Sequence, residues 1–129
     1  MKIYIKIYID GGVKGHQFKN KRTGFIALVL NSEEIVEEVG AVTNNQAEYL
    51  ALIKALEIAI QRKIPRVEVL SDSELLIKQM KNLYKVRSEN LIPLHKKARE
   101  LILKLDSFKM TWIPREQNLA GRVLSRKIS

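Results

Sequence analysis

Along residues 2–10 apolar and polar side chains alternate with a period of two. Ile3, Ile5, Ile7 and Ile9 fall on one side, and Lys2, Tyr4, Lys6, Tyr8 and Asp10 on the other. Successive side chains of a strand point to opposite faces, so this run reads as a strand with one aliphatic face. Asp10 closes it, away from the isoleucines and just ahead of the pair Gly11-Gly12. The segment 13–23 carries Lys14, Lys19, Lys21 and Arg22 and reads as a basic hairpin loop. FIALVL (25–30) and EIVEEVGAV (34–42) are two further strands separated by the turn Asn31-Ser32. Such short connections predict an antiparallel meander of three strands.

From Asn44 to about Arg62 the period becomes helical. Thr43 or Asn44 can cap this helix, and the Thr43/Gln46 spacing fits a capping box. Glu48, Leu52, Ala55, Leu56 and Ala59 share one stripe, which puts Glu48 on the face meant for the core. Residues 67–70 form a fourth strand running into Ser71-Asp72, and Ser71 with Glu74 reads as a capping box for a helix over 73–82. Pro93 sits early in a longer helix reaching about Leu105, with Leu91, Leu94, Ala98, Leu101 and Leu105 as its apolar stripe. Residues 108–114 are a fifth strand, and 118–128 a short amphipathic helix weakened by Gly121. No repeat or linker divides residues 1–129, which read as one domain. A crossover from strand three to strand four lays strand four parallel to a neighbour. With strand one as that neighbour, Asp10 and Asp72 emerge together at the carboxyl edge, where open α/β sheets place their sites.

Composition narrows the function classes. No run approaches ~18 apolar residues, so no membrane span is expected. The absence of cysteine excludes a disulfide framework and thiolate metal sites, and makes a cytoplasmic location the default expectation. Lys plus Arg number 23 against 14 Asp plus Glu, a net charge of +9 that favours polyanions, most simply nucleic acid. Against that background Asp10, Glu48 and Asp72 stand where an acid serves folding badly, because burying a bare carboxylate costs several kcal/mol or more. Taken singly, Asp72 reads as a helix cap and Asp10 as a turn residue before glycine. Taken together, a shared divalent cation is the economical account.

IDGG (9–12), TNNQAEYLALIKAL (43–56), LSDSELLIKQM (70–80), YKV (84–86) and WIPREQN (112–118) span nearly the whole chain. In this order they resemble the type 1 ribonuclease H family, in its archaeal and reverse-transcriptase-like branch. The resemblance implies an α/β ribonuclease H-like fold with a five-stranded mixed sheet. Strands one to three would be antiparallel, strands four and five parallel to strand one, with helices on both faces. It implies endonucleolytic cleavage of the RNA strand of RNA/DNA hybrids, leaving 5′-phosphate and 3′-hydroxyl ends. It assigns Asp10, Glu48 and Asp72 as catalytic residues and as ligands of one or two Mg²⁺ or Mn²⁺ ions, which suit hard oxygen donors. It makes Asn44, Asn45 and Gln46 contacts to the hybrid's minor groove, where 2′-hydroxyls distinguish RNA. Gly11 and Gly12 would let the backbone approach the RNA, and Thr43, Lys78, Lys81, Lys85 and Arg87 would meet phosphates. The expected partner is nucleic acid, an RNA/DNA hybrid or double-stranded RNA, with no membrane and no obligate protein partner. Trp112 is expected in the core.

The tail departs from the family pattern, which runs Asn, two variable residues, Ala-Asp, one variable residue, then Leu. Asn118 and Leu124 keep the spacing, but Gly121-Arg122 replaces Ala-Asp. Shifting the alignment by one puts Gly121 at the acidic position, and neither choice supplies a carboxylate. Arg122 beside two bound ions would repel at least one, by about 4 kcal/mol per unit-charge pair at about 4 Å and an effective dielectric near 20. Alternatively it binds a substrate phosphate or pairs with Glu116. Two functions follow: a ribonuclease H with a reduced carboxylate set, or an inactive module that binds hybrid or duplex. The PREQN loop holds no histidine, and His16 and His95 read as surface residues.

Overall fold

In the computed structural model, which describes residues 3–16 and 21–128, three consecutive strands form the expected meander. They are β1 (Ile5–His16), β2 (Lys21–Leu30) and β3 (Glu33–Gly40). β1 does not stop at Asp10. The antiparallel ladder with β2 carries it on, pairing Asp10 with Ala27, Gly11 with Ile26 and Gly12 with Phe25. A partner that runs the full length of the strand overrides the local turn signal of two glycines. The anticipated basic loop is therefore largely strand, and residues 17–20, with Lys19, lie outside the described residues.

Helix α1 (Asn44–Gln61) follows, then β4 (Arg66–Ser71), α2 (Glu74–Met80), α3 (Ile92–Ile102), β5 (Ser107–Trp112), one 3-10 turn (Arg115–Gln117) and α4 (Leu119–Ile128). The capping box at the start of α1 is present as predicted, with Thr43 Oγ1 accepting from the Gln46 amide and Gln46 Oε1 from the Thr43 amide. The cap of α2 is Ser73, not Ser71, since Ser73 Oγ accepts from the Leu76 amide at 3.2 Å. Ser71 still belongs to β4 and is fully buried. No helix of the described residues is long and apolar enough to cross a membrane.

The sheet order is β3-β2-β1-β4-β5, with β1/β2 and β2/β3 antiparallel and β1/β4 and β4/β5 parallel. One face packs Ile7, Ile9, Leu28, Val67 and Val69 beneath Leu52 and Leu56 of α1, Leu76 of α2 and Leu101 of α3. Each such aliphatic side chain contributes about 1.5–3 kcal/mol by leaving water. The other face sets Ala27, Val29 and the ring of Tyr8 against Ala120, Val123 and Leu124 of α4. So the side of β1 that looked polar is covered as well. Trp112 contradicts its assignment to the core: it ends the outermost strand, is half exposed, and donates its indole N–H to the Asp72 carbonyl at 3.2 Å.

One contact fixes where α1 lies. A Cβ on Gly11 would stand 2.4 Å from the carbonyl carbon and oxygen of Ala47 and 2.7 Å from the Glu48 nitrogen. The bare Cα thus serves the approach of α1 to β1. Gly11→Ala is expected to push α1 off the sheet and lower unfolding free energy by at least about 2 kcal/mol in a urea titration, an overpacking cost. Gly12→Ala, whose Cβ would meet only Leu124 Cδ2 at 3.7 Å, should stay within about 1 kcal/mol of the parent.

Candidate active site

β4 pairs with β1 only as far as Tyr8, so beyond it no strand lies on that side. Asp10 lies two residues further along β1, and Asp72 directly follows the end of β4. Glu48 reaches the same point from the second turn of α1, because that helix rests on Gly11. Each acid offers an oxygen within 4.8 Å of the other two. Asp10 and Glu48 are 3% and 9% exposed, and Asp72 is half-buried.

Donors from the main chain and two side chains fix the carboxylates. The Gly11 amide donates to Glu48 Oε1. Asn118, completely buried, donates through Nδ2 to Asp72 Oδ2 at 2.7 Å and to the Ile9 carbonyl at 2.9 Å. Its Oδ1 accepts from the Ala120 amide at 3.1 Å, so one amide ties the start of α4, the end of β4 and the middle of β1. Arg115 Nη1 stands 3.5 Å from Asp72 Oδ1 and 3.9 Å from Asp10 Oδ1 on a side chain two-thirds exposed. These are long, screened ion pairs.

Positive charge here falls short of negative. Burial, followed by the charge of Asp72, pushes the Asp10 carboxyl up to about 6 against the opposing pull of Arg115. Burial, followed by the charge of Asp10, drives Glu48 well above the usual carboxylate range, although the Gly11 amide works the other way. Converging hard oxygens that resist ionisation together are the donor set a divalent cation relieves. The residues present fit such an ion, with Asp10, Glu48 and Asp72 as its holders.

The tail alignment is settled by α4. A Cβ on Gly121 would lie 3.5 Å from Asp10 Oδ2, so Gly121 occupies the place nearest the acids. Arg122 is one step, about 100°, further round the helix. It is exposed and donates from Nη2 to the Glu116 carbonyl at 2.6 Å. The expectation that Arg122 intrudes among the carboxylates is therefore corrected. The cation at the cluster is Arg115, from the loop, and sequence reasoning missed both it and Asn118. The available signal for Asn118 was its position immediately before a helix, where a side-chain amide commonly bonds the first turn.

A cleft of about 410 Å³ opens over Asp10 and Glu48, lined also by Gly12, Asn44, Asn45, Arg115 and Ser125. Asn44 Oδ1 accepts from the Val13 amide at 3.0 Å, while the Asn45 side chain is exposed. Thr43 and Gln46 are occupied with each other in the capping box and line a separate cavity with Arg22. Lys78 is paired with Glu74 at 2.6 Å, and Lys85 lines a third cavity with Tyr84, Arg87 and His95. The fold brings Asp10, Glu48, Gly11, Gly12, Asn44 and Asn45 together in this cleft, sets Asp72 beside the two acids, and leaves Thr43, Gln46, Lys78, Lys85 and Arg122 outside it. His95 is half-buried edge-on to Tyr49, with ring centroids 6.2 Å apart, and burial lowers its pKa. The side chain of His16 lies outside the described residues.

The raised acids make the metal-free protein sensitive to pH. Asp10 holds its proton more tightly folded, at about 6, than at its ordinary 3.8. Its contribution to stability is therefore fully present below about 3.8 and is lost as pH rises through about 6. In a chelator, Asp10→Asn is expected to melt above the parent by a margin that widens from pH 4 to pH 7. Mg²⁺ should raise the melting temperature of the parent at pH 7.5 more than at pH 5. A margin that stays flat across this range, read by circular dichroism, would show that the acids are not crowded in solution.

The family profile described as reverse transcriptase-like matches residues 10–128. A ribonuclease HI of Halobacterium salinarum is 35% identical over 95% of this chain and 63% of its own length. The bifunctional protein Rv2228c of Mycobacterium tuberculosis is 32% identical over 92% of this chain. The chain spans about a third of the length of that relative (33%) and under two thirds of the Halobacterium one. Among solved structures, RNase H1 of Halobacterium salinarum NRC-1 superposes with a TM-score of 0.78 at 30% identity, covering 95% of this chain and 94% of that one. LC11-RNase H1, isolated from compost by a metagenomic approach, gives 0.82 at 32% identity, covering 98% and 99%. The same LC11 enzyme in complex with an RNA/DNA hybrid gives 0.76 at 30% identity, covering 97% and 99%. The profile covers nearly the whole length and the sheet has the expected five strands and strand directions, so the chain belongs to the reverse transcriptase-like, type 1 ribonuclease H family.

Proposed function

We propose that this chain is a divalent-metal-dependent endonuclease that hydrolyses the RNA strand of RNA/DNA hybrids. The carrying observation is the convergence of Asp10, Glu48 and Asp72, each with an oxygen within 4.8 Å of the others, beneath an open cleft. The relative named ribonuclease HI, and the LC11 structure with a bound hybrid, support the substrate class. The net charge of +9 supports a polyanionic partner through counterion release. Double-stranded RNA shares the wide minor groove and the 2′-hydroxyls of the hybrid's RNA strand, and is the alternative substrate.

Asp10, Glu48 and Asp72 would hold Mg²⁺ or Mn²⁺, which when bound would supply a lowered pKa for water and charge stabilisation for phosphodiester hydrolysis. The rest is performed by the chain. The Gly11 amide and the Asn118 side chain hold Glu48 and Asp72 toward Asp10, so that these donors need no rearrangement when substrate arrives. The two-thirds-exposed guanidinium of Arg115 stands at the mouth, within reach of a phosphate oxygen that enters beside Asp72. Asn45, exposed at the opening turn of α1, presents an amide to sugar and base edges in the minor groove. Gly121 gives this cleft one carboxylate fewer than the family pattern and favours, as a second reading, a module that binds hybrid with little cleavage.

An assay on a labelled hybrid, run in Mg²⁺ and in Mn²⁺, separates these readings. Cleavage confined to the RNA strand is expected, and Asp10→Asn or Asp72→Asn should each reduce it at least about a hundredfold. Tight hybrid binding without cleavage in either metal would establish the binding module. Failure to bind hybrid would remove both readings.

A further inference from the structure

Counting charge at the cleft gives an inference about this chain's own residues that rests on the metal-dependent reading above. Asp10, Glu48 and Asp72 contribute three negative charges when ionised, and Arg115 contributes one positive. Among the described residues no other charged side chain lies within salt-bridge distance of these acids. The position that faces Asp10 Oδ2 from α4 is Gly121 and brings no charge. The remaining two negative charges are what one divalent ion neutralises.

We propose that this site takes a single divalent ion and that the Arg115 guanidinium stands in for a second. The distances support a stand-in and not a fixed partner. Nη1 lies 3.5 Å from Asp72 Oδ1 and 3.9 Å from Asp10 Oδ1, astride the two carboxylates but bonded tightly to neither. Oxygens on the other side of the cluster are already committed, Asp72 Oδ2 to Asn118 and Glu48 Oε1 to the Gly11 amide. A second ion would have to displace the guanidinium, and no carboxylate on α4 is present to receive it. Arg115 then presents its free N–H groups to an incoming phosphate, with the planar donor geometry a phosphate accepts and a hydrated ion lacks.

Calorimetric titration of the metal-free protein with Mn²⁺ tests this without reference to turnover. The parent is expected to bind one equivalent. Arg115→Gln should bind the first ion at least about fivefold more tightly, since a competing positive charge is gone even after solvent screening. Arg115→Lys keeps the charge and should match the parent in stoichiometry. Gly121→Asp, which builds a carboxylate from a Cβ 3.5 Å from Asp10 Oδ2, should admit a second equivalent. Arg115 is exposed and lies in a surface turn, and chelated thermal melts of each variant establish that it folds. Two equivalents in the parent, or Arg115→Gln indistinguishable from it, would overturn the inference. A parent that cleaves hybrid yet takes two ions overturns this inference alone, whereas one that neither binds metal nor cleaves overturns the reading beneath it.

Discussion

Strand β1 has two neighbours of opposite sense, and the site exists because they differ in length. β2 accompanies it over ten register pairs from Ile7 to His16, whereas β4 runs alongside for four, from Ile5 to Tyr8. Where β4 stops, β1 has a partner strand on one side only, side chains of Asn118, Glu48 and Asn44 take its main-chain groups on the other, and the carboxyl edge of the parallel pair opens a notch. Asp10 projects into it and Asp72 arrives at its rim. The third acid depends on a missing atom. Without a Cβ on Gly11, the backbone of α1 settles against β1 and carries Glu48 to the other two. Any side chain there would move the helix, and the cluster with it.

Such crowding opposes folding. Two of the three carboxyls are buried deeply enough that desolvation is the first cause of their raised pKa, with the charge of Asp72 adding to it at Asp10 and that of Asp10 at Glu48. The surrounding fold tolerates this because the opposing contributions are large and lie elsewhere. Both faces of the sheet are covered, one by α1, α2 and α3 and the other by α4, so the apolar area leaving water is distributed over two cores. Asn118 couples them. Its side chain joins β1, β4 and the first turn of α4, which makes the geometry of Asp72 a consequence of how α4 docks. Perturbed acids in a cleft on a well-packed scaffold are a recurrent arrangement at catalytic sites.

The tail shows how one residue of register changes the chemistry. Read linearly, Gly121 and Arg122 are equal candidates for the place of a fourth acid. The helix separates them by about 100°, turning one toward Asp10 and the other toward solvent and the Glu116 carbonyl. The cation that does meet the acids, Arg115, comes from the short turn before α4, a segment whose direction no periodicity reports.

Periodicity and capping signals in the chain determined the order of elements, the capping box at Thr43, and the inward face of Glu48, because these depend on neighbours within about one turn or one strand. The family motifs singled out Asp10, Glu48 and Asp72, and the strand directions they implied are those observed. Tertiary structure decided what depends on distant partners. β2 carried β1 through two glycines that locally resembled a turn, α4 covered the side of β1 that looked polar, and the edge position of β5 left Trp112 in solvent. The roles of Gly11, Asn118 and Arg115 belong to that second group. Each is defined by an atom more than 35 positions away in the chain, and no local pattern encodes a contact of that range.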